Sequence, residues 1–258
     1  MKKHLHFRRI LVGLVVLATF GATTAAYATH RWGNYHWART ANPFTLKLGD
    51  NLTSTWDSYL VTTSNDWSQS SVLDTTIVAG GSRTARRCNP TTGRVEVCNY
   101  RYGYNGWLGV AQIWINGDHI TQGAVKLNDT YFNTATYNTP AWRNLVMCQE
   151  VGHTFGLGHQ DENFYNLPLG TCMDYSNDPT PNQHPNQHDY DLLEEIYAHL
   201  DLTTTVNQSA PLRGAFLDLD NPAEWGQELR TSIEDRTSIY LRDLGHGEKV
   251  LTHVFWVQ

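Results

Sequence analysis

Residues 139–159 constrain the fold of this 258-residue chain more than any other stretch, because they require a helix that ends in a sharp reversal. Thr139-Pro140 is typical of a helix start. Backbone N–H groups in the first turn have no partner within the helix, so a proline there costs no hydrogen bond. Gly156 is a glycine, and glycine is the residue type that commonly ends helices by adopting a left-handed backbone conformation. The pattern predicts a helix followed by a turn that sends His159 back toward it.

Three side chains of this segment are candidate metal ligands. Gln149 and His153 are four residues apart, so on a helix they point the same way, about 40° apart around its axis. The turn at Gly156 lets His159 supply a third ligand. Glu150 lies beside Gln149 at the rim of the same face, where it can hold a water molecule and take its proton. Three protein ligands with an open fourth position are the usual arrangement of a catalytic zinc site.

The same residues resemble a known signature. The run from Gln149 to His159 resembles H-E-x-x-H-x-x-G-x-x-H of the metzincin zinc peptidases. Downstream, the run Cys172-Met173-Asp174-Tyr175 resembles the Met-turn of that clan, and the upstream strands and later helix are most similar to its matrixin branch. The resemblance covers roughly residues 35–201.

The resemblance implies an α/β (α+β) fold with a twisted mixed sheet, an active-site helix and a C-terminal helix. It implies one catalytic zinc ion and a metalloendopeptidase in which Glu150 is catalytic. Met173 would lie beneath the metal, and Tyr175 would reach the metal or donate to the developing oxyanion. Residues 109–115 are the candidate edge strand, to which an extended peptide substrate would add a strand.

One position departs from the signature, because Gln149 stands where the family has histidine. Three interpretations stay open. Gln149 ligates zinc through its amide oxygen, a weaker and harder donor than an imidazole nitrogen. Alternatively, His153 and His159 hold zinc with an unforeseen third ligand or an extra water, or the site is inactive. Cys148 is a poor substitute, since it lies about 140° from His153 around the helix.

Two other functions compete with the peptidase. A secreted pseudo-peptidase would bind peptide or protein in the same cleft without cutting it, and Gln149 favours that alternative. A cell-wall or carbohydrate-binding protein would depend on residues 212–258 and their aromatic side chains. Asp161 and Glu162 could orient His159 or bind calcium, but a charged loop is the default interpretation.

Four cysteines indicate disulfides in an exported chain, and three pairings are possible. We favour Cys88–Cys98, which closes a short loop, and Cys148–Cys172. The second bond would tie the ligand helix to the turn that carries Met173, and so fix the geometry around the ligands.

The N-terminus predicts secretion. A basic start and an apolar run, residues 10–20, precede Ala26-Tyr27-Ala28, which fits a signal-peptide cleavage site after Ala28. Without residues 1–28 the chain has 15 basic and 25 acidic residues and a net charge of −10. This charge would repel phosphate backbones, so nucleic acid is not an expected partner. We expect a monomer without stable membrane association whose partner is a protein or peptide substrate.

The chain divides into four predicted parts. The signal peptide, residues 1–28, precedes a peptidase-like domain, residues 29–201. Residues 202–211 are rich in Thr, Ser and Asn and are typical of a linker. Residues 212–258 contain short alternating runs, which predict a small β-rich appendage of unknown role.

Overall fold

The computed structural model describes residues 30–209, 220–231 and 236–257. The predicted signal peptide and its cleavage site lie outside these ranges, as do the first eight residues of the predicted appendage, 212–219. The helices of the described ranges are α1 (Asp57–Trp67), α2 (Asp129–Phe132), α3 (Pro140–His153) and α4 (Gln187–Ile196). The strands are β1 (His36–Trp37), β2 (Phe44–Asn51), β3 (Leu73–Ala79), β4 (Val95–Tyr100), β5 (Trp107–Asn116), β6 (His119–Asn128), β7 (Gln227–Thr231), β8 (Thr237–Gly245) and β9 (Glu248–Trp256).

One mixed sheet contains all nine strands. Its order is β3-β2-β4-β6-β5-β9-β8-β7, and β1 pairs with β6 beside this path. The pairs β2–β3, β2–β4, β4–β6 and β1–β6 are parallel. The pairs β5–β6, β5–β9, β8–β9 and β7–β8 are antiparallel. A large mixed sheet with few helices confirms the predicted α+β fold class.

Helix α3 is built as its sequence predicts. The side chain of Thr139 caps the helix by accepting a hydrogen bond from the backbone N–H of Trp142, and Pro140 occupies the first turn. Every residue from Leu145 to His153 is buried, and Gly109 lets the backbone of β5 approach the helix closely. Helix α3 is therefore enclosed in the core and lies against β5.

The C-terminal strands continue the main sheet. Strand β9 pairs along the whole length of β5, and β8 and β7 follow it outward. Leu251 and Phe255 belong to the same buried cluster as the residues of α3. The preceding segment is also held to the body of the protein, because the backbone N–H of Thr205 donates to Ala38 and that of Asn207 donates to Gly93. The division of the chain into domain, linker and appendage stays a prediction.

Both favoured disulfide pairings are confirmed. Cys88 is bonded to Cys98, and Cys148 is bonded to Cys172. Disulfides persist in oxidising compartments, so the pair of bonds supports an extracellular or similarly oxidising environment. None of the helices in the described ranges is both long and apolar enough to cross a membrane.

Candidate metal centre

The reversal after α3 depends on Gly156. His153 is the last residue of the helix, and Gly156 adopts a φ of +97° three residues later. A Cβ atom at this glycine would lie 2.3 Å from the backbone oxygen of Tyr35, so a larger side chain cannot be accommodated there. The turn returns His159 to the end of the helix, as the sequence predicts.

His153 and His159 meet through their Nε2 atoms, which lie 3.1 Å apart. The Nδ1 atom of His153 is 2.9 Å from the carbonyl oxygen of Leu157, which can only accept a hydrogen bond. The Nδ1 atom of His159 is 3.7 Å from Oε1 of Glu162. With their hydrogens on Nδ1, both rings present an Nε2 lone pair to the same point, which is the tautomer that a metal requires.

The third imidazole at this point belongs to His253. This residue lies on β9 in register with Ala111 of β5, and its ring centroid is 4.0 Å from that of His153 and 4.9 Å from that of His159. One ligand atom from each of the three rings lies within 4.8 Å of the others. The structure therefore brings a residue of the predicted appendage to the two predicted histidines.

The sequence offered a weak signal for His253. His253 is a fully buried ionisable residue of β9. Other buried positions of this strand are apolar, among them Val250, Leu251, Val254 and Phe255. A histidine in such an apolar run calls for a partner inside the core. The pattern of the strand gives no indication of which helix or turn it will meet, because that contact joins residues about a hundred positions apart.

Glu150 contacts this third imidazole. Its Oε2 atom lies 3.0 Å from Nδ1 of His253, and both side chains are fully buried. Burial raises the pKa of Glu150 well above its usual value. A cation among the three rings would favour the ionised carboxylate, which accepts the Nδ1 hydrogen of His253 and leaves Nε2 of that ring as the ligand atom.

The protonation states suit metal ligands. Burial is the main cause that lowers the pKa of His153 well below its ordinary value and also lowers the pKa of His159. Burial lowers the pKa of His253 to about 3. All three rings are thus neutral near pH 7, which is the form that binds metal.

The geometry fits a tetrahedral zinc ion. Two nitrogens bound to one such ion at about 2.0–2.1 Å lie roughly 3.3–3.4 Å apart, close to the spacing between His153 and His159. The Nε2 atom of His253 is buried and has no hydrogen-bond partner among the described residues, and the same holds for Oε1 of Glu150. An ion and its fourth ligand would satisfy such atoms.

Gln149 makes a different set of contacts. Its Nε2 atom donates to the backbone oxygen of Cys172 at 2.8 Å and lies 3.5 Å from that of Asp174. Its Oε1 atom is buried and finds no protein partner in the described part of the chain. The amide thus bonds the helix to the turn that follows Cys172. The predicted ligand role of Gln149 stays a prediction.

The turn around Met173 packs beneath the helix. A Cβ atom on Gly152 would lie 2.7 Å from the Met173 sulfur, so a glycine at this position allows the sulfur to pack closely against the helix backbone. The Cys148–Cys172 disulfide ties the same turn to α3 one residue before Gln149. Together they fix the end of the helix that carries His153.

Tyr175 is fully buried two residues beyond Met173. Its ring centroid is 5.5 Å from that of His159, and its hydroxyl donates to the backbone oxygen of Arg236, next to the start of β8. In this conformation the hydroxyl is engaged by the C-terminal strands. The oxyanion role expected from the resemblance stays a prediction.

Solvent approaches the three rings beside His159, which is 8 % exposed. A cavity of about 400 Å³ is lined by His159, Glu162 and Arg230, among others. Arg230 of β7 pairs with Glu162 at 2.7 Å across this opening. The two carboxylates considered for calcium already have protein partners, because Asp161 accepts hydrogen bonds from Asn163 and Asn166.

No protein-family model matches the chain, and no curated protein matches it.

Proposed function

We propose that the chain is an exported zinc-dependent peptidase whose C-terminal strand covers the metal site in the conformation described above. One observation carries the proposal: three buried imidazoles bring ligand atoms to within 4.8 Å of one another, and a buried glutamate contacts one of the rings. The nitrogen donors favour zinc over calcium or magnesium, which prefer oxygen. The resemblance to the metzincin signature supplies the reaction class.

Glu150 has the central chemical role in this proposal. A bound zinc ion would polarise the scissile carbonyl and make a water molecule acidic enough to react near neutral pH. Oε2 of Glu150 is engaged by His253, so Oε1 would accept the proton of that water and pass it to the leaving amine. Its burial suits the second step, because a raised pKa helps a carboxyl group to hold a proton.

Strand β9 occupies the position at which a substrate would bind. Residues 109–115 are paired with β6 on one side and with β9 on the other, so the expectation that they form an edge strand is wrong in this conformation. An extended peptide would compete with β9 for the same backbone donors and acceptors. Cleavage of a peptide bound along β5 therefore requires β9 to move away, and His253 with it. His153 and His159 would then be the imidazole ligands of the open state, while His253 completes the covered one. The disulfides and the predicted signal peptide support export.

The assay follows hydrolysis of casein or a quenched peptide, with and without chelator. We expect chelator-sensitive cleavage that Glu150→Gln abolishes, while Glu195→Gln, an exposed change on α4, leaves the rate unchanged. Gln112→Ala removes the side-chain hydrogen bond from β5 to Thr252 of β9 and should increase cleavage, because it weakens the contact between these two strands. Zinc content measured on each variant separates loss of metal from loss of chemistry.

A second candidate function is a metal-holding protein that does not cut peptide bonds. Two observations favour it: the Gln149 amide bonds the Cys172 backbone, and β9 fills the candidate substrate edge. It would be preferred if the wild-type protein and Gln112→Ala both contained zinc and neither cleaved a substrate.

A further inference from the structure

A second group of metal-binding side chains lies away from α3, where three separate segments meet. His36 comes from β1, His119 begins β6, and His199 and Asp201 follow α4. Oδ1 of Asp201 is 3.2 Å from Nε2 of His119, 3.5 Å from Nε2 of His36 and 3.7 Å from Nε2 of His199. The Nε2 atoms of His36 and His199 are 3.1 Å apart.

Four spacings within this group, from 3.1 to 3.7 Å, are close to the edges of a tetrahedron around zinc. Ligand atoms about 2.0–2.1 Å from a tetrahedral zinc ion are separated by roughly 3.3–3.4 Å. The ligand atoms of His36, His119 and Asp201 all lie within 4.8 Å of one another, and the exposed His199 lies next to those of His36 and Asp201. Three imidazoles and one carboxylate form a donor set that suits zinc.

The tautomer of His36 also points to a cation. Its Nδ1 atom is 2.7 Å from the backbone oxygen of Asn34, so Nδ1 carries the hydrogen. In the neutral ring, Nε2 is then a hydrogen-bond acceptor. It lies near Oδ1 of Asp201, which is also an acceptor, so their lone pairs repel each other. A cation between these two atoms would turn this contact into an attraction.

Arg39 holds the carboxylate in place. Its Nη1 atom donates to Oδ2 of Asp201 at 2.9 Å, and its backbone N–H donates to the same oxygen at 3.2 Å. Oδ1 is thereby directed at the histidines. A partner that orients a ligand from outside the coordination sphere is a regular part of metal sites.

We propose that His36, His119, His199 and Asp201 form a structural zinc site, distinct from the site at the end of α3. Four protein ligands leave no open position, which is the arrangement of structural zinc. The ion would link the start of the sheet, the β5–β6 hairpin and the chain after α4. These segments are far apart in sequence, so the link stabilises the folded chain.

The site is accessible to an ion. The side chain of His119 is 38 % exposed and that of His199 is 54 % exposed. A cavity of about 260 Å³ adjoins the group and is lined by His36 and His199, among others. Zinc can therefore load into the folded protein without opening the core.

The experiment measures zinc per chain after dialysis of the full-length protein against zinc. The test variant is His119→Gln/His199→Gln, in which both changes are partly exposed. The control is His184→Gln, because His184 is 55 % exposed and pairs with Asp66, outside either group. The melting temperature of each protein is measured with added zinc and with chelator.

The proposal predicts two equivalents of zinc in the wild type and in the control, and one in the test variant. Zinc should raise the melting temperature less in the test variant than in the control. One equivalent in both wild type and test variant would overturn the second site and leave the α3 site standing. One equivalent in the wild type and none in the test variant would support the second site and remove the α3 site instead.

Discussion

At the residue scale, the central question is which side chain supplies the third metal ligand, because Gln149 stands where the signature that the chain resembles has histidine. Gln149 directs its amide nitrogen to the backbone of Cys172, whereas His253 joins His153 and His159 from another strand. An imidazole is a better zinc donor than an amide oxygen. We therefore assign the third protein ligand to His253 in the proposed site.

The first prediction concerns this assignment. His253→Gln should weaken zinc binding at the α3 site by at least about tenfold, because it removes one of three imidazole ligands. Competition with a chromophoric chelator measures the affinity. The matched control is His246→Asn, in the exposed β8–β9 turn, where asparagine tolerates the positive φ of 57°. Equal affinity in His253→Gln and wild type would show that His253 is not a ligand.

At the element scale, the pairing of β9 with β5 has two consequences: it brings His253 to the candidate metal site, and it occupies the strand at which a substrate is expected to bind. Gln112 of β5 and Thr252 of β9 are opposite each other, and the Gln112 amide donates to the Thr252 hydroxyl at 3.3 Å. This pair offers a place at which the two strands can be linked.

The second prediction is that linking these strands blocks cleavage. A disulfide between Gln112→Cys and Thr252→Cys should reduce hydrolysis of a protein substrate by at least about tenfold, since directly opposite residues in an antiparallel pair are close enough to bridge. The control, Asp243→Cys/Lys249→Cys, links β8 to β9 and leaves β5 free. If the linked protein cleaves as fast as this control, substrate does not require β9 to move.

The local elements could be predicted from the sequence, because their signals lie within a few residues. The start of α3 at Thr139, the turn at Gly156 and the β5–β6 hairpin are signalled in this way, and the structure has all three. The position of β9 depends on its pairing with β5 and on its packing against α3, both of which lie about a hundred residues or more away in the sequence. His253 could not be assigned to the site for that reason.

At the scale of the whole molecule, burial determines how the metal-free protein responds to acid. The folded-state pKa of His253 is about 3, below its ordinary value, because the ring is fully buried. In the unfolded chain the ring regains its ordinary pKa near 6.5. Between these two values the unfolded state binds one more proton at this residue than the folded state, so stability is lost as pH falls.

The third prediction follows from this difference. In chelator, the free energy of unfolding of the wild type should fall more steeply than that of His253→Gln as pH decreases below 6.5, and the difference in slope should approach about 1.4 kcal/mol per pH unit near pH 5. Urea unfolding at several pH values between 5 and about 6.5 measures both proteins. Parallel pH dependences would mean that His253 is not held neutral in the folded protein.

The most direct test of the central claim is the position of zinc in a crystal of the zinc-loaded protein, located by anomalous diffraction at the zinc edge. We expect an anomalous-difference peak within bonding distance, about 2.0–2.1 Å, of the Nε2 atoms of His153, His159 and His253. A peak bound by Gln149 Oε1 with His253 turned away would contradict the ligand assignment. The absence of any peak between His153 and His159 would contradict the metal site itself.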